Sequence, residues 1–214
     1  MKKLLNKYFS KEKWQYLMYT MSHPMDGFYW IRHQDRGSVP LAVLLVILFS
    51  LCYSINRIGA NFVVNDVEPA LVDSLEELSG VLLLYVLLCV SNWSITCLMN
   101  GEGRMKDIAI AIGYGCAPMI PIFLLATGLS HFITEEEGAF YTMILGVGIA
   151  YSVILILIGI MQVHNYTLGK TLQTLLLTFV AIMIIIFVGL LLADLIGQVI
   201  NFVRSVYIEI IFRS

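Results

Sequence analysis

Charged residues are scarce in this sequence. Asp, Glu, Lys and Arg make up only 13% of its 214 residues, whereas apolar residues make up 59% and the mean hydropathy is +0.84. Soluble domains carry about 25% charged residues, so this composition excludes an ordinary water-soluble domain and favours a chain whose solvent is lipid. The net charge of −2 and the lack of a long basic segment also exclude the electrostatic footprint of a nucleic-acid-binding protein.

Motifs of the common enzyme chemistries are also missing. The sequence contains no HExxH, no GxSxG and no phosphate-binding GxxxxGK[ST]. Its four cysteines lie singly inside apolar runs, which is typical of small buried hydrophobes rather than metal ligands. His131 and the acidic run from Glu135 to Glu137 could be drawn as a divalent-metal site, but consecutive carboxylates on one loop seldom converge on one ion. We therefore predict a non-enzymatic protein with no catalytic residue, no cofactor and no bound metal.

Five apolar runs approach the roughly 20 residues that an α-helix needs to cross the hydrocarbon core of a membrane. None of them alternates with the period of two that marks a transmembrane β-barrel, and only helices then satisfy the backbone in lipid. We predict an all-α integral membrane protein, a bundle of five transmembrane helices in the lipid bilayer. The runs cover residues 39–55, 78–99, 108–129, 139–163 and 172–195.

Both flanks of the apolar region have the pattern of interfacial amphipathic helices. Apolar residues recur at helical spacing after Ser10, a candidate N-cap, and again beyond Gly197. The first flank combines them with aromatic and basic residues, which suit the headgroup layer. The second continues the fifth span or bends away from it. We predict three parts, namely an N-terminal interfacial segment (1–37), the transmembrane domain (38–197) and an amphipathic C-terminal tail (198–214).

The distribution of basic residues predicts the orientation in the membrane. Lys and Arg concentrate in the cytoplasmic loops of membrane proteins, and here they lie before the first span, between the second and third, and between the fourth and fifth. The alternate loops hold Arg57 and many acidic residues. We therefore predict a cytoplasmic N-terminus and an external C-terminus. The basic residues on the predicted cytoplasmic side are Lys2, Lys3, Lys7, Lys11, Lys13, Arg32, Arg36, Arg104, Lys106 and Lys170.

The third span is interrupted by Pro118 and Pro121. A proline inside a helix removes an amide donor, which would leave the carbonyls of Tyr114 and Ala117 without helical partners. Broken helices of this kind line substrate sites in many transporters, although a packed kink whose carbonyls bond a neighbouring Ser or Thr is the alternative. Intramembrane polar residues are also functional candidates, and we expect Asn92 to bond another helix. The candidate broken-helix site comprises Asn92, Tyr114, Ala117, Pro118, Pro121 and Gln162.

Small residues at a spacing of four occur in the last three spans. Such rows let helix backbones approach closely in lipid. They predict a tight bundle with the third helix at its centre, and the alternative is a homodimer formed through one of these faces. The rows are Ala109, Gly113 and Ala117; Ala111 and Gly115; Gly146 and Ala150; Gly148 and Ser152; and Gly189, Ala193 and Gly197.

Several motifs around these spans resemble a known family. Asn92-Trp93 and Gly113-Tyr114 through Pro118 belong to the pattern, together with three longer segments in the predicted cytoplasmic loops. In order and spacing they resemble the Yip family, the Ypt/Rab-interacting membrane proteins, and specifically its shorter bacterial members. The longer segments are His23-Pro24-Met25-Asp26-Gly27-Phe28-Tyr29, Asn100-Gly101-Glu102-Gly103-Arg104-Met105-Lys106-Asp107-Ile108 and Asn165-Tyr166-Thr167-Leu168-Gly169-Lys170-Thr171.

This resemblance implies a five-helix bundle with the orientation given above, located in a bacterial plasma membrane. Eukaryotic relatives bind small GTPases and assist vesicle traffic or membrane shaping. The eukaryotic Asp-Leu-Tyr-Gly-Pro signature is absent here, and Cys116 stands where Leu is usual. The resemblance is therefore used for fold and topology and not for GTPase binding.

The motifs that resemble the family crowd into the predicted cytoplasmic loops, so the leading hypothesis is a scaffold or adaptor that binds protein partners there. An alternative interpretation of these loops is capping and tight turning by Gly27, Gly101, Gly103 and Gly169. A small transporter, channel or lipid-handling protein built on the broken third helix is the second functional hypothesis. The candidate partner surface comprises Asp26, Phe28, Tyr29, Glu102, Lys106, Asp107, Tyr166 and Lys170.

Overall fold

The computed structural model describes residues 10–65 and 67–213, and the basic residues Lys2, Lys3 and Lys7 lie outside them. Within these two ranges the chain forms eight α-helices and two short 3-10 turns, Pro69–Leu71 and Glu135–Glu137, and it has no strand. The helices are α1 (Lys11–Ser22), α2 (Pro24–Gln34), α3 (Val39–Gly59), α4 (Ser74–Leu98), α5 (Met105–Cys116), α6 (Met119–Ser130), α7 (Gly138–His164) and α8 (Leu168–Arg213).

Five helical segments are long and apolar enough to cross a membrane, which confirms the predicted fold class. The third of them consists of α5 and α6 together. Each helix extends past the apolar run that predicted it, because polar residues at its ends are also helical; Asp73, for example, caps α4 by accepting bonds from the amides of Leu75 and Glu76. The five segments are Val39–Gly59, Ser74–Leu98, Met105–Ser130, Gly138–His164 and Leu168–Phe212.

The third span lies at the centre of the bundle, as the small-residue rows predict. Helix α5 packs against α3, α4 and α7. A Cβ atom added to Gly113 would lie 2.7 Å from the Cβ of Ala42 on α3, and one added to Gly148 on α7 would lie 2.7 Å from Ile122 on α6. These glycines therefore set the distance between neighbouring helices.

Two other small-residue rows face away from the described part of the chain. A Cβ added to Gly146, Gly189 or Gly197 would meet no atom within 4 Å. These rows do not contribute to packing within one chain. A homodimer through one of them stays a prediction.

The N-terminal helices are part of the bundle. Helices α1 and α2 pack on each other, where the Tyr16 hydroxyl donates to the Gly27 carbonyl at 2.6 Å, and α2 packs on α7. Burial raises the pKa of Tyr16 to about 12, so its phenol stays a donor at neutral pH. Phe28 and Ile31 have no exposed surface and join the same core as Leu41. The segment therefore shares the core of the spans, and its place in the headgroup layer stays a prediction.

Lys13 fixes the turn that leads from α2 into the first span. Its ammonium group donates to the carbonyls of Asp35, Arg36 and Gly37 at 3.2, 2.6 and 3.0 Å. Burial lowers the pKa of Lys13, and the charge of Asp35 partly offsets this. These three bonds satisfy carbonyls that follow a helix end and have no partner in the helix.

The fifth span and the C-terminal tail form one continuous helix. Helix α8 has 46 residues, about 69 Å at 1.5 Å per residue, more than twice the roughly 30 Å of a hydrocarbon core. Its first part packs on α4 through Thr171, Thr174, Thr178 and Ile182, which are buried. From Met183 to Phe212 nearly all of its side chains are exposed. Of the two alternatives stated for the tail, the structure shows the first, in which it continues the fifth span as helix.

Candidate functional site

The break in the third span is closed by local backbone bonds, which corrects the prediction of freed carbonyls. The amide of Ala117 donates to the Tyr114 carbonyl at 3.2 Å, and the amide of Ile120 donates to the Ala117 carbonyl, also at 3.2 Å. Both are i to i+3 bonds, which tighten a helix end and satisfy the carbonyls that a proline would otherwise leave unpaired. Neither carbonyl is left to bind a substrate.

The two prolines are tolerated because each stands where a helix does not use an amide. Pro118 joins α5 to α6, and Pro121 is the third residue of α6. The first four amides of a helix have no partner inside it, so Pro121 removes no bond. The third span is consequently two helices in series, Met105–Cys116 and Met119–Ser130.

The polar members of the candidate broken-helix site do not gather around this junction. The Asn92 amide nitrogen donates to the Thr178 hydroxyl of α8 at 3.1 Å, so the expected interhelical bond is confirmed. The Tyr114 hydroxyl accepts from the amide of Ser38 before α3, and Gln162 is half-buried near the end of α7. Asn92 and Tyr114 therefore bond to different parts of the bundle, and the candidate residues do not form one site.

Three distant segments meet at one end of the bundle, which we name the motif end: residues 23–37, 100–107 and 163–171. Arg32 joins all three, because its guanidinium donates to Glu102 at 2.6 Å and to the Val163 carbonyl at 3.2 Å. Arg104 donates back to the Arg32 carbonyl at 3.1 Å. The segments that resemble family motifs thus form one continuous surface.

A second set of ion pairs joins the first two segments. Asp35 accepts from Arg104 and from Lys106, both at 2.8 Å. The hydrogen bond from Lys106, with the charge of Arg104, holds the pKa of Asp35 below its usual value. Arg104 also pairs with Asp107 at 2.7 Å. The carboxylate of Asp35 stays charged at neutral pH and keeps the end of α2 against the start of α5.

His164 is the centre of the motif end, and the sequence analysis did not select it. It is buried, and its Nδ1 accepts from the amide of Gly103 at 3.1 Å. Its ring stacks on Tyr166, whose hydroxyl donates to the Met99 carbonyl at 3.2 Å. The position of His164 just before the Asn165 motif was the available signal, but a histidine at the end of a span has no distinctive spacing.

The turns at this end are made by other residues than the glycines. Asp35, Asn100 and Asn165 have left-handed backbones with φ of 50, 53 and 55°, whereas no described glycine has a positive φ. Asn and Asp tolerate this conformation better than other side chains do. Gly101 and Gly103 instead allow close approach, because a Cβ on either would lie within 2.7 Å of the His164 ring.

Five of the eight predicted partner residues remain accessible. Asp26, Tyr29, Glu102 and Lys106 are exposed, and Lys170 is half-buried with its ammonium 4.1 Å from the centre of the Tyr166 ring. The other three do not face solvent. Burial removes Phe28, Asp107 and Tyr166 from the surface, because Phe28 fills the core, Asp107 holds Arg104 and Tyr166 covers His164.

A cleft of about 420 Å³ opens beside this surface. Lys13, Asp35 and Lys106 line it with apolar side chains such as Ile31 and Ile110. Its volume falls in the range of sites that accept a small molecule or a large side chain. Among residues 10–65 and 67–213, no group of three or more His, Cys, Asp or Glu side chains is arranged to hold a metal ion.

The other end of the bundle, which we name the opposite end, contains residues 54–65, 67–77 and 127–141. Asn56 donates to the Thr127 hydroxyl at 2.9 Å and accepts from the Tyr141 hydroxyl at 3.0 Å. Arg57 pairs with Glu77. This network was not predictable from the sequence, because its members come from four different helices.

Comparison with known proteins adds a family match. A family model described as the Yip1 domain matches residues 18–190, which includes all three segments of the motif end. The searches of curated proteins and of solved structures give no match.

Proposed function

Because this chain belongs to the Yip1-domain family, whose members are generally non-enzymatic multi-pass membrane proteins, we propose that it is a scaffold or adaptor that binds a protein partner at the motif end. The observation that carries the proposal is the convergence of three distant motif segments on one surface. Ion pairs of Arg32 and Asp35 and the buried His164 hold that surface together.

The motif end has the composition of a protein-binding surface. Tyr29 and Trp30 are exposed next to each other on α2, with ring centres 5.1 Å apart, and Glu102 and Lys106 lie exposed on the adjacent segment. Aromatic residues surrounded by a polar rim are typical of binding hot spots. A surface that is already ordered also loses less entropy when a partner binds.

We further propose that the motif end faces the cytoplasm of a bacterial cell. Lys13, Arg32, Arg104 and Lys106 lie there, whereas Arg57 is the sole Lys or Arg between residues 37 and 103. The positive-inside rule then orients the bundle with its N-terminus in the cytoplasm. In this orientation the scaffold presents its binding surface to cytoplasmic proteins and the end of α8 to the exterior.

The transport hypothesis loses the observation that motivated it. The carbonyls of Tyr114 and Ala117 accept backbone bonds within the chain, so the two carbonyls on which that hypothesis relied are not free. Broken helices support substrate binding through such exposed groups.

Site-specific photocrosslinking tests the scaffold proposal. We expect a photoreactive phenylalanine analogue at Tyr29 to capture one defined protein in native membranes. The same analogue at Phe140, which is 56% exposed at the opposite end, is the matched control. With the captured partner purified, Trp30→Ala should weaken binding at least about tenfold, as loss of an aromatic hot spot does. Equal capture at both positions, or unchanged affinity of Trp30→Ala, would contradict the proposal.

A further inference from the structure

A cavity of about 570 Å³ lies inside the membrane-spanning part of the bundle, beside the break in the third span. Cys116 at the end of α5 and Met119 at the start of α6 line it. Side chains of α3, α4 and α7 complete the wall, and most of them are aliphatic or aromatic. Pockets of this size and composition bind hydrophobic molecules.

The cavity reaches from the middle of the membrane towards the opposite end of the bundle. On α3 its lining extends from Phe49, at the middle of the helix, to Asn56 near its end, and on α7 it extends from Leu145 to Ile156, about 16 Å at 1.5 Å per residue. Ser152, near the middle of α7, lines it too, and Asn56 at the opposite end of the bundle lies at its other limit. Half of a hydrocarbon core is about 15 Å thick. A single extended hydrocarbon chain from the leaflet nearer the opposite end therefore matches the cavity in length.

The mouth of the cavity faces lipid. Ile149 and Val153 line it and are each 55% exposed on the side of the bundle, whereas Met119 and Ser152 are buried at its back. A molecule can therefore enter sideways from the bilayer. The Ser152 hydroxyl has no hydrogen-bond partner in the described part of the chain, so replacing it breaks no internal bond.

A cation lies close to the wall of the cavity near the end of α3, at the headgroup level. The guanidinium of Arg57 lies 5.7 Å from the centre of the Tyr53 ring, and Tyr53 lines the cavity. The Arg57 side chain is 34% exposed and pairs with Glu77 through one nitrogen. A guanidinium has five N–H donors, so this pairing leaves donors for a second anion. Arginine binds phosphate oxygens well because its donors form a planar fork.

We infer that this cavity binds one phospholipid, with an acyl chain between α3 and α7 and the phosphate at Arg57. The apolar wall, the length of one leaflet, the lateral mouth and the cation at the headgroup level all fit an anionic amphiphile of the bilayer. The inference does not depend on the scaffold proposal or on which leaflet is cytoplasmic. The bound lipid would stabilise the junction of α5 and α6 from the side.

Native mass spectrometry of the full chain in detergent tests the inference. Phosphatidylglycerol is titrated against diacylglycerol with the same acyl chains, which lacks the phosphate. We expect one phosphatidylglycerol per chain and at least roughly tenfold weaker binding of diacylglycerol, because a charge-assisted bond is lost. The double variant with Arg57→Gln and Glu77→Gln leaves no unpaired charge. It should bind phosphatidylglycerol as weakly as the wild type binds diacylglycerol.

Filling the cavity gives the second arm of the test. Ser152→Phe should reduce phosphatidylglycerol affinity at least about tenfold, whereas Ser94→Phe, on an exposed face of α4, should leave it unchanged. Ile149→Trp at the exposed mouth replaces Ser152→Phe if that variant does not fold. Unchanged phosphatidylglycerol affinity in the filled variants would contradict binding in this cavity. Equal affinities of the wild type for diacylglycerol and phosphatidylglycerol would contradict the phosphate contact.

Discussion

The effect of replacing Gly103 by alanine on stability can be predicted from specific contacts. Its amide donates to Nδ1 of His164, and an added Cβ would lie 2.6 Å from Cε1 of His164 and 2.6 Å from Cγ1 of Val163. Both neighbours are buried on α7. Because the φ of Gly103 is not positive, alanine adopts its backbone without strain. The destabilisation expected from Gly103→Ala therefore comes from crowding against α7 and not from backbone strain.

The size of the effect follows from two contributions. Inserting a methyl group into a well-packed site costs about 1–3 kcal/mol. The displaced turn also loses or lengthens the bond from Gly103 to His164, which contributes about 1 kcal/mol. We expect Gly103→Ala to lower the free energy of unfolding by roughly 2–4 kcal/mol.

Denaturant unfolding of the protein in detergent, followed by tryptophan fluorescence, measures this difference. Gly169→Ala is the matched control, because it lies in α8 near the motif end with no atom within 4 Å of an added Cβ. A helical Gly→Ala change stabilises by up to about 1 kcal/mol, so the control should shift in the other direction. Gly103→Ala as stable as the wild type would refute the reasoning.

A double-mutant cycle identifies the cause of the loss. If the His164 ring is the obstacle, Gly103→Ala should cost about 1–3 kcal/mol less in a His164→Ala background. Additive effects of the two substitutions would show that the crowding comes from elsewhere.

Three further predictions concern contacts that hold helices and turns together. Asn92→Ala should cost about 0.6–1.7 kcal/mol by removing the bond to Thr178, and a cycle with Thr178→Val should recover that coupling in the same unfolding assay. Because the pKa of Asp35 is lowered in the folded state, its ion pairs contribute fully to the free energy of unfolding above the unfolded-state pKa. This contribution is lost as the pH falls through the folded-state pKa. Between pH 6 and pH 3 the free energy of unfolding of the wild type should therefore fall by about 0.2–1 kcal/mol more than that of Asp35→Asn. Lys13→Met removes three bonds to carbonyls of residues 35–37 and should cost about 1.5–3 kcal/mol, with faster tryptic cleavage after Arg36; unchanged cleavage would contradict the structural role of Lys13.

The architecture was predictable because it depends on local composition. The length of each apolar run predicted a span, and the small residues around Gly113 predicted the central position of the third span. The bond from Asn92 to another helix was expected for the same kind of reason, since a polar side chain deep in lipid needs a partner. Its actual partner, Thr178, was not predictable because the two residues are 86 positions apart.

The broken helix shows where a local rule is insufficient. Pro118 does remove an amide, but whether a carbonyl stays exposed depends on the geometry of the next turn. In the structure the amides of Ala117 and Ile120 bond the two carbonyls in question. After a proline, the chain can form i to i+3 backbone bonds in place of i to i+4 bonds, or it can leave carbonyls unbonded. Sequence alone does not distinguish these two cases, because the same residues are helical in both.

Hydropathy and the spacing of small residues determined by themselves that this protein is a five-span helical bundle, since transfer into lipid depends on each segment separately. Only the tertiary structure decided which residues of the motif segments form a surface. Phe28 and Tyr166 are buried because they meet parts of the chain that are distant in sequence, near Gly159 and at Met99, as Arg32 meets Val163 across 131 positions. Exposure is a property of the packed bundle, so it was settled only when α2, α5 and α7 came together.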